Sequence, residues 1–257
     1  MVDKRSPIGV FDSGVGGISV LRELKKLMPH EDFIFIGDSA NAPYGMKTPQ
    51  EVIELSEHSL LRLLSMGAKQ IVIACNTATA VAADALREKY RDIEIVGIEP
   101  AIKPAAHDNR GGRIAVLATD LTVHQKRIEK LYRQCSHEAH IELVSCPGLV
   151  ELIESGHTYD EELFSYLSEK LSLYRDFDAY VLGCTHYPLI RSAFLRVLGD
   201  VPLYDGGEGT ARRSRELLSR DGLLNSSDRE GQIEIINTSN DENMVSLSYS
   251  FMIEDRN

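Results

Sequence analysis

Short apolar runs alternate with amphipathic stretches along most of the chain, and that alternation limits its fold more than any other feature. IGVF (8–11), DFIFIG (32–37), IVIA (71–74) and IEIV (93–96) are rich in β-branched and aromatic residues and too short for buried helices. Each is followed by a helical pattern or by a turn leading into one. Strands that are apolar along their whole length, with helices between them, form parallel sheets covered on both faces. One helix start is explicit: Thr48 is placed as N-cap, Pro49 at the first position and Glu51 at the third, a capping box. That helix is expected to run to about Met66 and to end at Gly67. A second is expected over roughly 160–173, with Leu163, Tyr166, Leu167 and Leu171 on one face.

The pattern then restarts. IAVLATD (114–120) is placed like IGVFDSG (8–14), an apolar run followed by small and polar residues before a helix. Ile114 follows Ile8 by 106 residues, and Cys184 follows Cys75 by 109. Nearly equal offsets suggest two similar α/β lobes, each a mostly parallel sheet flanked by helices. After Asp205 come a glycine-rich turn, DGGEG, a helix near 210–221, a strand over 232–237 and a polar helical tail expected to pack back on the first lobe. The expected division is 1–97 plus 206–257 for the first lobe and 98–205 for the second.

A net charge of −11 over 257 residues, with no basic stripe, argues against general nucleic-acid binding. No apolar run approaches membrane-spanning length, and MVDKRSP lacks the apolar stretch of a signal peptide. The expectation is a cytoplasmic protein. Its four cysteines, Cys75, Cys135, Cys146 and Cys184, form no CxxC pair, so neither a zinc site nor disulfides are expected. Lys47 and Lys103 have no setting that marks a Schiff-base lysine, so no pyridoxal cofactor is indicated.

Ligands of parallel α/β sheets bind beyond the carboxyl ends of the strands. Cys75 in IVIACNTA and Cys184 in VLGCTHYP both fall there, as do Asp12, Ser13, Asp38 and Ser39. A lone cysteine after a strand is usually a small buried filler. Two in matched settings, each followed by hydrogen-bonding residues, point to thiols that work together on opposite faces of one carbon. Both are read as lying just before helices, whose N-termini favour thiolate. Asp12 stands near one thiol and His186 near the other, as groups able to relay protons. DSGVGG (12–17) invites a phosphate-loop reading, but it lacks the GK[ST] ending and reads better as a tight strand-to-helix turn. Its N–H groups can still hold a carboxylate. His30 and His137 fall in polar surroundings and read as solvent-facing.

Several segments resemble the glutamate racemases of the aspartate/glutamate racemase superfamily: FDSGVGGISVL (11–21), GDSANAPYG (37–45), ACNTATA (74–80), CPGLVELIE (146–154) and GCTHYPLI (183–190). The resemblance implies two α/β lobes with the active site between them and no cofactor. It implies Cys75 and Cys184 as the acid/base thiols, assisted by Asp12 and His186 respectively, with Glu154 helping on the second side. It implies substrate contacts from Asp12, Ser13, Tyr44, Gly45, Asn76, Thr77 and Thr185, with Thr119 and Thr122 near a substrate carboxylate. The implied substrate is a small acidic amino acid, the implied assembly a homodimer, and the implied product D-glutamate for peptidoglycan.

The chain departs from the family at Leu121, where a small residue is common, at Gln125, Gly148 and Glu151, and in the tail INTSNDENMVSLSYSF. A larger side chain at 121 can shorten the pocket by about a methylene, which favours aspartate over glutamate by only about 1–3 kcal/mol. Aspartate racemisation by the same two thiols is therefore the first alternative. A cysteine hydrolase or lyase on the same fold is the second, and needs only one nucleophilic thiol. A binding protein that has kept the fold is the third, and predicts lost thiols or acids, of which none is missing.

Overall fold

The computed structural model describes residues 3–253; Met1, Val2 and residues 254–257, the ends of the charged start and the polar tail, lie outside them. The first sheet contains β1 (Ile8–Asp12), β2 (Phe33–Gly37), β3 (Gln70–Ile73), β4 (Glu94–Gly97) and β9 (Ile233–Asn237). The second contains β5 (Arg113–Ala118), β6 (His140–Ser145), β7 (Ala179–Leu182) and β8 (Leu203–Asp205). Every strand pair is parallel.

The strand orders show why the sequence offsets recur. The first sheet runs β4-β3-β1-β2-β9 and the second β6-β5-β7-β8, so both place their strands fourth, third, first, second. The second sheet repeats the topology of the first, and β9 is added to one edge of the first. In each, the order reverses beside the first strand, between β1 and β3 and between β5 and β7. Loops leaving those strand ends diverge and open a crevice.

Alternation of side chains along each strand builds the cores. Val10, Phe33, Phe35 and Val72 face one way into a core that continues through Ala115, Leu117 and Leu182 of the second sheet and Phe194 of the helix after β7. Phe11, Ile34, Ile36, Ile71 and Ile73 face the other way, under α2 (Pro49–Ser65) and α3 (Asn76–Lys89). Ile114, Val116, Ala179 and Val181 form the outer core of the second sheet, against α4 (Ile102–Asp108) and α6 (Lys126–Cys135). Each of the valine, leucine, isoleucine and phenylalanine side chains among these contributes roughly 1.5–3 kcal/mol when fully buried.

Helix α2 begins as read, with Thr48 and Glu51 exchanging both capping hydrogen bonds, and gives way to Gly67 at φ +87°. Helix α8 (Glu161–Lys170) stops earlier than expected. The Leu171 N–H still bonds Leu167 O at 2.9 Å and Leu171 stays buried, but the chain then turns so that Tyr174 N–H can bond Leu171 O at 2.9 Å. Helix α10 (Gly207–Arg220) returns to pack on α1 (Ile18–Leu27), and α11 (Glu242–Ile253) packs on α1 and β9, as the tail was read to do. The two passages of chain between the sheets touch at Gly206, where a Cβ would lie 2.3 Å from Glu99 O. Among the described residues no helix is long and apolar enough to cross a membrane.

Candidate active site

Four strand ends converge between the sheets. From β1 come Asp12, Ser13 and the glycine turn; from β3, Cys75; from β5, Thr119, the residue before α5 (Asp120–Val123), which carries Thr122; from β7, Cys184, Thr185 and His186. Cys75 is the N-cap of α3, and its Sγ accepts the Ala78 N–H at 3.4 Å and lies 3.4 Å from Ser13 Oγ. Burial and then the nearby Asp12 carboxylate push this thiol up to about 12, against the hydrogen bonds from Ser13 and Ala78. A thiol raised that far keeps its proton at neutral pH.

The other thiol sits differently. Cys184 was read as preceding a helix; the chain after it forms only a short 3-10 turn (Tyr187–Ile190), and α9 (Arg191–Leu198) starts later. Its partner is a side chain instead: Cys184 Sγ lies 3.7 Å from His186 Nδ1, and His186 Nε2 lies 2.9 Å from Glu154 Oε1. Glu154 ends α7 (Leu149–Glu154). Burial acts to lower the His186 imidazole, but Cys184 and Glu154 override it and hold it well above its ordinary value. Burial likewise acts to raise Glu154, and His186 wins and lowers it. Cys184 thus faces an imidazole ring held by a carboxylate, a pair able to take up or return a proton beside the sulfur.

The glycine turn binds carboxylates, both from the chain itself. Gly14 N–H donates to Asp12 Oδ1 at 2.9 Å, and Val15 N–H donates to Glu154 Oε1 at 3.2 Å. Asp12 is fully buried and raised by desolvation first, with His186, Gly14 and Thr185 opposing. Thr185 Oγ1 donates to Asp12 Oδ2 at 2.9 Å, and Ser19 Oγ, on α1, lies 2.8 Å from Thr185 O. These contacts join the two sheets' ends directly at the thiols.

Thr77 Oγ1 lies 3.1 Å from both Thr119 Oγ1 and Thr122 Oγ1, which are 2.9 Å apart, a triangle of hydroxyls spanning the cleft. Gly45 packs against Thr119, 3.2 Å from its Cβ to a Cβ built on the glycine, and Tyr44 is buried with its hydroxyl on Asp38. Asn76 is buried with its Oδ1 lacking a hydrogen-bond partner, an acceptor open to a cationic or N–H donor. Asp12, Ser13, Cys75, Glu154, Cys184, Thr185 and His186 are thus joined by these contacts, and Thr77, Thr119, Thr122 and Gly45 form a second connected group, with Asn76 next to Cys75 at the start of α3. His30 and His137 are exposed, as expected. Ser19 and Thr238 were not singled out; their partners lie 166 and 200 positions away, at Thr185 and Asp38, and no local pattern marks them.

Two parallel sheets of one topology, meeting at their strand ends, define a two-lobed α/β protein with a cleft between the sheets. The Asp/Glu/Hydantoin racemase family model matches residues 8–213, and the chain belongs to that family. It is an isomerase, an amino-acid racemase grouped with the glutamate racemases. It is 46% identical over 251 residues to a glutamate racemase of Clostridium botulinum, covering 96% of this chain and 97% of the relative. The crystal structure of glutamate racemase from Francisella tularensis in complex with D-glutamate superposes with a TM-score of 0.84 at 28% identity, covering 98% of this chain and 96% of that one. That of Escherichia coli glutamate racemase, in complex with L-glutamate and the activator UDP-MurNAc-ala, gives 0.84 at 31% identity, covering 96% and 95%.

Proposed function

We propose that this enzyme interconverts L- and D-glutamate without a cofactor, by proton transfer between two cysteines across the α-carbon. The observation that carries the reading is the pairing of unlike thiol environments at equivalent strand ends: Cys75 capped by α3, and Cys184 backed by His186 and Glu154. With His186 beside it, Cys184 takes the Cα proton of one enantiomer while Cys75, held as a thiol, delivers a proton to the other face. For the opposite enantiomer the thiols exchange roles. An α-ammonium group arriving beside Asp12 offsets the negative charge that raises Cys75, so substrate itself helps that thiol become a base. Ser13, Asn76, Thr77, Thr119, Thr122, Thr185 and the Tyr44–Gly45 backbone surround the substrate and stabilise charge developing on its α-carboxylate. Closure around these groups excludes water and fixes the near-attack geometry.

The lobes in this reading divide at residues 98 and 206, where the chain passes between the sheets and the passages touch. The product feeds peptidoglycan and the enzyme works as a cytoplasmic homodimer, both carried by the likeness to glutamate racemases; light scattering of the purified protein tests the dimer. Leu121, half-buried beside the cluster that holds Cys75 and Tyr44, gives aspartate a place in the same assay.

The test is to incubate the purified protein with L-glutamate and with L-aspartate, without cofactor, following optical rotation and Cα proton exchange in heavy water. Glutamate is expected to racemise faster, and Cys75→Ala and Cys184→Ala each to abolish racemisation. Near wild-type racemisation by both single variants would end the two-thiol scheme.

A further inference from the structure

The end of β9 and the turn after it lie outside residues 8–213, the span matched by the family model. They nevertheless reach the cleft through one buried carboxylate. Asp38, at the end of β2, is buried. Its Oδ2 accepts the Tyr44 hydroxyl at 2.7 Å, its Oδ1 accepts the Thr238 hydroxyl at 2.7 Å, and Asn41 Nδ2 donates to both oxygens at 3.1 Å. The same Thr238 hydroxyl accepts the Ala40 N–H at 3.1 Å, and Thr238 N–H donates to Gly37 O at 3.0 Å. Asn237 Nδ2 adds a bond to Ser39 Oγ at 2.8 Å. The turn carrying residues 39–41 is thus tied on its outer side to β9.

Tyr44 spends its only hydroxyl proton on Asp38. Burial and Asp38 hold that phenol far above its ordinary value, so it stays a neutral donor. What Tyr44 contributes to the cleft is then position: its ring is wedged in the core that contains Cys75, and the Tyr44–Gly45 backbone lies against Thr119. Without the Thr238 hydroxyl, Asp38 Oδ1 loses the bond that fixes it on the β9 side, and the carboxyl and the phenol bonded to it are free to shift together.

We infer that Thr238 is a positioning residue for substrate, acting through Asp38 on Tyr44, so that the β9 turn belongs to the binding machinery of the racemase site. The inference rests on the racemase reading above. It places the effect in binding of ground state and transition state alike, because the Tyr44–Gly45 backbone holds the substrate and transfers no proton.

Thr238→Val keeps the shape and removes the hydroxyl. It is expected to raise KM for glutamate roughly tenfold while kcat stays within about threefold. Thr238→Ser, which restores the hydroxyl, is expected to restore KM. A purely structural role would not produce the next result: in a Tyr44→Phe background, where the relay is already cut, Thr238→Val should raise KM by less than about twofold more. An unchanged KM in Thr238→Val, failure of serine to rescue, or full multiplication of the two effects would overturn the inference. If Thr238→Val does not fold, Asp38→Asn reads the same relay, and it must show the same split between KM and kcat. A wild-type protein that racemises glutamate while these variants behave otherwise sinks this inference alone. A wild-type protein that does not racemise sinks the reading beneath it.

Discussion

Thr185 Oγ1 donates to Asp12 Oδ2 at 2.9 Å, joining positions 173 apart in sequence and bridging the ends of β7 and β1. Apart from this bond, Asp12 has one hydrogen-bond donor, the Gly14 N–H, while burial works against its charge. Thr185→Val should therefore push the Asp12 carboxyl higher still. The acid limb of the kcat/KM profile is expected to move to higher pH, with a loss of about ten- to a hundredfold at neutral pH. The stability sign follows from the same shift. A carboxyl raised on folding contributes stability that is complete below its unfolded value near 3.8 and is lost as pH rises through the folded value. Thr185→Val widens that window, so the variant should be less stable at pH 7 by about 1–3 kcal/mol and approach wild type in acid, as read by denaturant unfolding at several pH values.

Glu154 and His186 shift in opposite directions, and their pH windows overlap. His186, raised on folding, contributes stability that is complete below 6.5 and is lost as pH rises through its folded value. Glu154, lowered on folding, contributes stability present above 4.5 and lost as pH falls through its folded value. Glu154→Gln keeps the side-chain shape and removes the charge. The imidazole should then lose its proton at lower pH, moving the alkaline limb of kcat/KM downward and cutting kcat by about a hundredfold at neutral pH. An unmoved alkaline limb would show that His186 does not report on the site through Glu154.

Gly16 has no room for a side chain. A Cβ there would sit 2.4 Å from His186 Nδ1 and 2.7 Å from Thr185 Oγ1. Gly16→Ala is expected to displace the imidazole that faces Cys184 and to lower kcat/KM by about a hundredfold. Gly209 in α10 is the control, since a Cβ there meets nothing within 4 Å. Gly209→Ala should leave activity unchanged and raise stability by about 0.5–1 kcal/mol, measured by denaturant unfolding.

The strands and both thiols are legible in the sequence because each depends on local chemistry. Apolar runs place β1 to β4 within a residue or two, the Thr48–Glu51 box is short-range, and two thiols in matched settings just after apolar runs stand out in the chain itself. Partners chosen by folding are not legible. Of the setting of Cys184, His186 was read correctly from its place two residues on, the expected helix N-terminus is absent, and Glu154, 32 positions before His186, was placed on that side only through the family resemblance. Thr238 and Ser19 look like ordinary turn and helix residues until the chain brings Asp38 and Thr185 to them. The glycine turn was read as able to hold a carboxylate, and the carboxylates it holds are its own Asp12 and Glu154 from the end of α7.

Lys69 and Glu31 form an ion pair at 2.5 Å with both side chains essentially without solvent exposure. Two carbonyls complete the ammonium, Lys4 O at 2.7 Å and Leu223 O at 3.0 Å, and the Asn225 N–H donates to the carboxylate at 2.7 Å. The pair thereby ties the start of the chain and the segment before β9 to the first sheet, far from the thiols. Desolvating two charges is costly, so the pair as a whole adds little net stability, but either charge alone in that place is severely unfavourable. Lys69→Met should therefore destabilise the protein by about 3–5 kcal/mol, while Lys69→Met with Glu31→Leu should recover much of the loss. The racemisation rate of whatever fraction remains folded at 25 °C should equal that of wild type. Equal destabilisation by the single and double variants in denaturant unfolding would show that the buried charges are not what makes this site sensitive.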